Sequence, residues 1–127
     1  MIVYQALIVE KPEDTPVVEV SEKLLHQILT CIADLIIVDA DWYISKYADV
    51  RDAIRQGMVE SAKEHYVSYG YFENRMPRLI LVDESFYFRE YPDVSEAIRL
   101  GHVQSAQSHF ELYGFKEGRL PCKEWQL

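Results

Sequence analysis

Two histidines, His65 and His109, are the side chains of this sequence best suited to acid–base chemistry or metal binding, because imidazole titrates near neutral pH and binds metals readily. Each is followed four residues later by a tyrosine, Tyr69 or Tyr113, on the same side of a helix. Neither has a second histidine or a cysteine three or four residues away, whereas a metal site needs several converging ligands. We therefore predict structural histidines, packed beside tyrosine and hydrogen-bonded, with metal binding as the alternative.

Carboxylates and arginines also occur in matched pairs. The acids are Asp39 and Asp83, Asp49 and Asp93, and Glu73 and Glu117, and the arginines are Arg55 and Arg99, and Arg75 and Arg119. Paired carboxylates can act as general acid and base, but a fold that is built twice needs its helix caps and ion pairs twice. We predict that Asp49 pairs with Arg75 to stabilise the fold. The same role is expected for Asp93 and Arg119.

Motifs typical of enzymes are missing. There is no Gly-x-Gly-x-x-Gly, P-loop, Gly-x-Ser-x-Gly or HExxH pattern. The segment Asp39-Ala40-Asp41 resembles the start of a calcium loop, but the central glycine and the further ligands are missing. Cys31 and Cys122 lack metal-binding spacing, and Cys31 is expected to be a small core residue in an apolar helix. We predict no enzymatic activity, no cofactor and no metal.

The matched residues lie forty-four positions apart because the chain contains an internal repeat. Residues 35–77 align without a gap on residues 79–121, and 21 of the 43 aligned positions are identical. A period of this size indicates one supersecondary unit built twice, with each copy burying its apolar face against a neighbour. We divide the chain into an N-terminal arm and helix at 1–37, a first repeat at 38–78 and a second at 79–122. The 127 residues suffice for one compact domain.

Each repeat is predicted to contain three short helices. Asp39 and Asp83 are expected N-caps of the first helix. The second helix runs from about 49 to 56, or from 93 to 100 with Pro92 at its start. It ends at a glycine, residue 57 or 101, where a left-handed conformation is expected.

The third helix is predicted from about residue 60 to 69 and ends at Gly70, or at Gly114 in the second copy. We expect both glycines to adopt a left-handed conformation. Ser61 and Glu64 form a capping box, and Ser108 replaces the glutamate in the second copy, where the cap should be weaker. After one more turn, Asn74 aligns with Gly118, and both residue types tolerate positive φ.

An arm at residues 1–19 and an amphipathic helix at about 22–35, capped by Ser21, precede the repeats. These segments have no duplicate in the chain. Their candidate interface residues are Ile2, Val3, Leu7, Leu25, Ile28, Leu29 and Ile32. Two roles remain open for them, capping the repeat core or self-association, and a two-fold homodimer is the commonest form of the latter.

The numerous aromatic residues mostly match between the copies. This duplication favours a role in the inter-helix core, and the alternative is a surface on which sugars stack. Thirteen basic and twenty-one acidic residues give a net charge of −8, which repels nucleic acid and anionic lipid. No apolar stretch approaches the roughly 18 residues of a membrane span, and no signal peptide is recognisable, so we expect a cytoplasmic protein without membrane insertion.

The second copy resembles a short bacterial repeat of the form Y-x-x-x-x-P-D-V … H-[YF]-x-x-x-G-x-x-E-G-R-x-P. The matching residues are Tyr87, Pro92-Asp93-Val94, His109-Phe110, Gly114 and Glu117-Gly118-Arg119-Leu120-Pro121. The first copy departs from the pattern at Ala48 and Asn74. Such repeats occur beside glycosyltransferase domains and in some surface proteins. The resemblance implies a non-catalytic interaction or scaffolding role, linked to envelope polysaccharide production.

The sequence thus predicts an all-α domain with an extended arm, one amphipathic helix and two stacked helical repeats. We expect a self-associating interaction module with an unidentified protein partner. A carbohydrate-binding accessory domain with exposed aromatic residues is the alternative, and a small enzyme or metal protein is the third hypothesis.

Overall fold

The computed structural model describes residues 18–125. Within this range the chain forms seven α-helices and no strand, which confirms the all-α fold class. The helices are α1 (Glu22–Leu35), α2 (Ala40–Lys46), α3 (Ala48–Arg55), α4 (Ala62–His65), α5 (Glu84–Glu90), α6 (Pro92–Arg99) and α7 (Ala106–His109). Helices α4 and α7 continue as π-helical segments, Tyr66–Gly70 and Phe110–Gly114. Ile2, Val3 and Leu7 of the predicted interface lie outside the described residues.

Local capping defines the helix boundaries much as predicted. The Asp39 and Asp83 carboxylates accept hydrogen bonds from backbone N–H groups three residues ahead, each at 3.0 Å. Pro92 occupies the first turn of α6. Positive φ values occur at Gly57 (70°), Gly101 (76°), Gly118 (71°) and Asn74 (55°), as expected for these turns.

The caps of the third helix differ from the prediction. The Ser61 hydroxyl accepts from the Glu64 N–H group at 3.1 Å, but the Glu64 carboxylate accepts from the N–H group of residue 60 rather than that of Ser61. In the second copy, Ser105 and Ser108 form the complete reciprocal box. The expectation of a weaker cap there was wrong, because the Ser108 hydroxyl reaches the Ser105 N–H group at 2.9 Å.

The start of each repeat is hydrogen-bonded to its own end, and the two repeats also contact each other. In each copy the N-cap aspartate donates its backbone N–H to a C-terminal proline carbonyl, from Asp39 to Pro77 at 3.1 Å and from Asp83 to Pro121 at 2.9 Å. Trp42 contacts the apolar cores of both copies. The Lys46 ammonium group also reaches the Glu111 carboxylate at 2.5 Å.

Helix α1 covers the free side of the first repeat. It has the predicted bounds, and the Ser21 hydroxyl accepts from the Leu24 N–H group at 3.2 Å. Leu29 and Ala33 are buried in the first core. The C-terminal end of α1 lacks a basic residue of its own, and Lys63 of α4 supplies one by donating to the carbonyls of residues 34 and 36 at 2.7 and 2.6 Å.

The predicted interface residues of α1 separate into two groups. Leu29 is buried and Ile32 packs against the first core, whereas Leu25 and Ile28 are 41% and 45% exposed. The prediction for Cys31 was wrong, because its side chain is exposed. Along the chain from residue 18 to 125, no helix has the length and apolar character needed to cross a membrane.

Candidate functional site

Each repeat buries one histidine against one tyrosine. The Tyr43 hydroxyl lies 3.2 Å from Nδ1 of His65, and the Tyr87 hydroxyl lies 3.1 Å from Nδ1 of His109. The ring of each histidine also contacts the tyrosine four residues later, with ring centroids 5.5 Å apart. The structure therefore shows the predicted arrangement of each histidine, hydrogen-bonded and beside a tyrosine, and their structural role stays a prediction. The hydrogen-bonding tyrosine was missed, although the 22-residue spacing from tyrosine to histidine is the same in both copies.

The same tyrosine explains the glycines that follow. Gly70 and Gly114 lie within the π-helical segments and do not have positive φ, so the predicted left-handed helix ends were wrong at these positions. A Cβ atom at Gly70 would overlap the Tyr43 hydroxyl, and one at Gly114 would overlap the Tyr87 hydroxyl. Glycine is required here because a side chain from another helix approaches the backbone.

The second feature that occurs in both copies is an arginine held by two acids. Arg75 donates two hydrogen bonds to the Asp49 carboxylate, at 3.0 and 2.7 Å, and a third to Glu73 at 2.6 Å. Arg119 repeats this with Asp93, at 2.9 and 2.8 Å, and with residue 117 at 2.6 Å. The predicted pairs are confirmed, in the bidentate geometry that makes such contacts strong.

Each arginine also lies on a tyrosine ring. The guanidinium groups of Arg75 and Arg119 are 4.9 Å from the ring centroids of Tyr47 and Tyr91. These tyrosine hydroxyls accept backbone N–H groups at 2.9 and 2.8 Å near the end of each repeat. The arginine, its acids and the tyrosine therefore fix the last turn of the repeat onto its second helix.

Burial and neighbouring charges determine the protonation states of these groups. Burial and the nearby Arg75 lower the pKa of His65, and burial with Arg119 does the same for His109. Burial raises the pKa of Tyr43 and Tyr87. At neutral pH the imidazoles are thus held neutral and the phenols protonated. The hydrogen bonds from Arg75 lower the pKa of Asp49, which stays ionised beside its partner.

Neither a metal site nor an extended aromatic platform is assembled in the described part of the chain. No three His, Cys, Asp or Glu side chains between residues 18 and 125 converge to hold an ion. Among the aromatic side chains in that range, only Tyr69 and Tyr113 are exposed, by 54% and 49%. The other aromatic rings of this range are buried or half-buried, as predicted for a core.

Comparisons with protein-family models, with curated proteins and with solved structures find no match for this chain.

Because His65 and His109 are buried, we predict that the protein loses stability in mild acid. Their pKa values are lowered in the folded state, so the unfolded chain takes up protons first as the pH falls below about 6.5. The melting temperature should therefore fall from pH 7.5 to pH 5.5. Replacing both residues (His65→Gln with His109→Gln) should lower the melting temperature overall and flatten this dependence, whereas the exposed control His102→Gln should retain it. An equally steep profile in the double variant would contradict the assignment.

Proposed function

We propose that this protein is a non-catalytic interaction or scaffolding module that self-associates. The observation that supports this most directly is the outer side of α1, where Leu24 and Ile28 are each 45% exposed and Leu35 is 83% exposed. Apolar side chains that recur on one side of a helix and face water are typical of an interface. The opposite side of the same helix is already buried in the first repeat through Leu29 and Ala33.

The matched polar residues support a non-catalytic role. Each histidine bonds a buried tyrosine, and each arginine bonds two acids, with nearly identical distances in the two copies. A contact that is reproduced wherever the fold is repeated is explained by the needs of the fold. A catalytic group also requires access to a substrate, and His65 and His109 are only 8% and 7% exposed.

We further propose a cytoplasmic homodimer that serves envelope polysaccharide production. The support is the resemblance of the second copy, from Tyr87 to Pro121, to repeats that occur beside glycosyltransferase domains. The net charge of −8 makes nucleic acid and anionic lipid poor partners, which leaves proteins as the favoured class.

Charges placed on the outer side of α1 should abolish self-association. We expect native protein to be dimeric by light scattering at about 100 μM and Leu24→Glu with Ile28→Glu to be monomeric, because two buried unpaired carboxylates per copy would oppose pairing. Ile32 is left intact because it packs against the core. Met58→Glu is a matched control, since Met58 is 72% exposed in a turn and its substitution should preserve the dimer. A native protein that is monomeric would refute self-association.

A carbohydrate-binding module is the second candidate, and the exposed Tyr69 and Tyr113 favour it. They occupy equivalent positions in the two copies and could each stack on a sugar ring. Calorimetric titration with bacterial polysaccharide fragments would distinguish the candidates. Binding that is lost in Tyr69→Ala with Tyr113→Ala would favour the sugar, and dimerisation without sugar binding would favour the interaction module.

A further inference from the structure

We infer that α1 pairs with α1 of a second copy in antiparallel orientation. The pairing surface is the seam formed by Leu24, Ile28, Cys31 and Leu35, all of which are exposed. This inference rests on the proposed self-association and adds the partner element and its direction.

The spacing of the seam is that of a coiled coil. Its residues follow one another at intervals of four, three and four, the alternation of a coiled-coil seam, which keeps them on the side of the helix that faces a partner helix. The seam is separate from the side of α1 that contacts the protein core, where Leu29, Ala33 and Ile36 are buried. Helix α1 therefore has two apolar sides, one of which is covered by the domain as described from residue 18 to 125.

Charge complementarity favours a second copy in the antiparallel direction. Lys23, Gln27 and Asp34 are exposed and lie together along one flank of the seam. A two-fold axis that places Leu24 opposite Leu35 of the second copy brings Lys23 and Gln27 close to that copy's Asp34. The two-fold symmetry repeats this contact between the Asp34 of the first copy and the Lys23 and Gln27 of the second.

A parallel pair would lose these contacts. In register, it would place the flank of Lys23 and Asp34 against the other flank of the second copy, which carries Leu25 and Ile32, so no opposite charges would meet there. It would also align the two helix dipoles, whereas the antiparallel pair opposes them. Pairing through this seam therefore favours the antiparallel over the parallel orientation.

Disulfide trapping tests the orientation. We would replace Leu24 and Leu35 with cysteine in full-length protein that also carries Cys31→Ser and Cys122→Ser. Helices packed about 8–10 Å apart bring facing Cα atoms within the roughly 7 Å limit of a disulfide. Residues 24 and 35 of one helix are about 16 Å apart and cannot join within one chain.

The antiparallel pair predicts disulfides between residue 24 of one copy and residue 35 of the other. Mild oxidation should convert most of the double-cysteine protein to covalent dimer, and peptide mapping should find the mixed 24–35 linkage. The Leu24→Cys and Leu35→Cys single variants are matched controls and should remain uncrosslinked. Peptides that link 24 to 24 and 35 to 35, or efficient crosslinking of the single variants, would overturn the inferred direction while leaving self-association intact. A dimer by light scattering that gives no crosslink would place the interface elsewhere, and a monomer would refute both proposals.

Discussion

Replacing Gly114 with alanine should destabilise the protein by roughly 1–3 kcal/mol of unfolding free energy. On backbone grounds alone the change should help, because alanine in a helix is favoured over glycine by about 0.5–1 kcal/mol. The added Cβ, however, would overlap the Tyr87 hydroxyl and lie 3.1 Å from Cδ2 of Phe110. Both side chains are buried, so neither can move aside without disturbing the core.

A double-mutant cycle identifies the clash as the cause. Tyr87→Phe removes the obstructing hydroxyl, and the nearest remaining atom of that ring is then 3.4 Å from the Cβ position. Tyr87→Phe alone should cost about 1 kcal/mol through the lost bond to His109. In its background, Gly114→Ala should cost much less when unfolding is measured with denaturant, with the 3.1 Å approach to Cδ2 of Phe110 as the remaining close contact.

Gly101→Ala supplies the contrast to Gly114→Ala. Gly101 has φ 76° and open space around the Cβ position, so its penalty comes from the backbone and should not depend on Tyr87. If Gly114→Ala is equally costly with and without the hydroxyl, close approach is not the reason for this glycine.

The two kinds of glycine show how far sequence reasoning reaches. Gly57 and Gly101 end helices in the left-handed conformation, and a local pattern is enough to predict that. Gly70 looks the same in sequence, but glycine is needed there because the Tyr43 hydroxyl leaves no room for a side chain. The position of Tyr43 depends on how two helices pack. Local patterns report local backbone geometry and cannot reveal which distant side chain arrives.

The polar residues follow the same division. The pairing of Asp49 with Arg75 was predictable because duplication limited the choice of partners. The hydrogen bond between Tyr43 and His65 was missed, because the sequence pattern drew attention to Tyr69, which is closer to His65 along the chain. Cys31 was assigned to the core because α1 is rich in apolar residues. Composition does not distinguish the side of α1 that faces the domain from the side that faces water.

Replacing Arg119 with alanine should lower the unfolding free energy by about 1–3 kcal/mol. The change removes two bonds to Asp93, one to Glu117 and the contact with the Tyr91 ring. The arginine side chain is only 20% exposed, whereas that of Asp93 is 59% exposed. Asp93→Ala should therefore cost less, about 0.2–1 kcal/mol, because solvent screens an exposed carboxylate.

Two further variants separate geometry from charge. Arg119→Lys keeps the positive charge but cannot form the forked pair, so it should recover only part of the lost stability. Arg55→Ala, at the exposed end of α3, is the control and should change the unfolding free energy by no more than about 0.5 kcal/mol. If Arg119 is structural, we expect the melting temperatures to follow this order while the proposed dimer persists whenever the protein is folded. Native-like melting of Arg119→Ala, combined with loss of partner or sugar binding, would instead assign the arginine to a binding site.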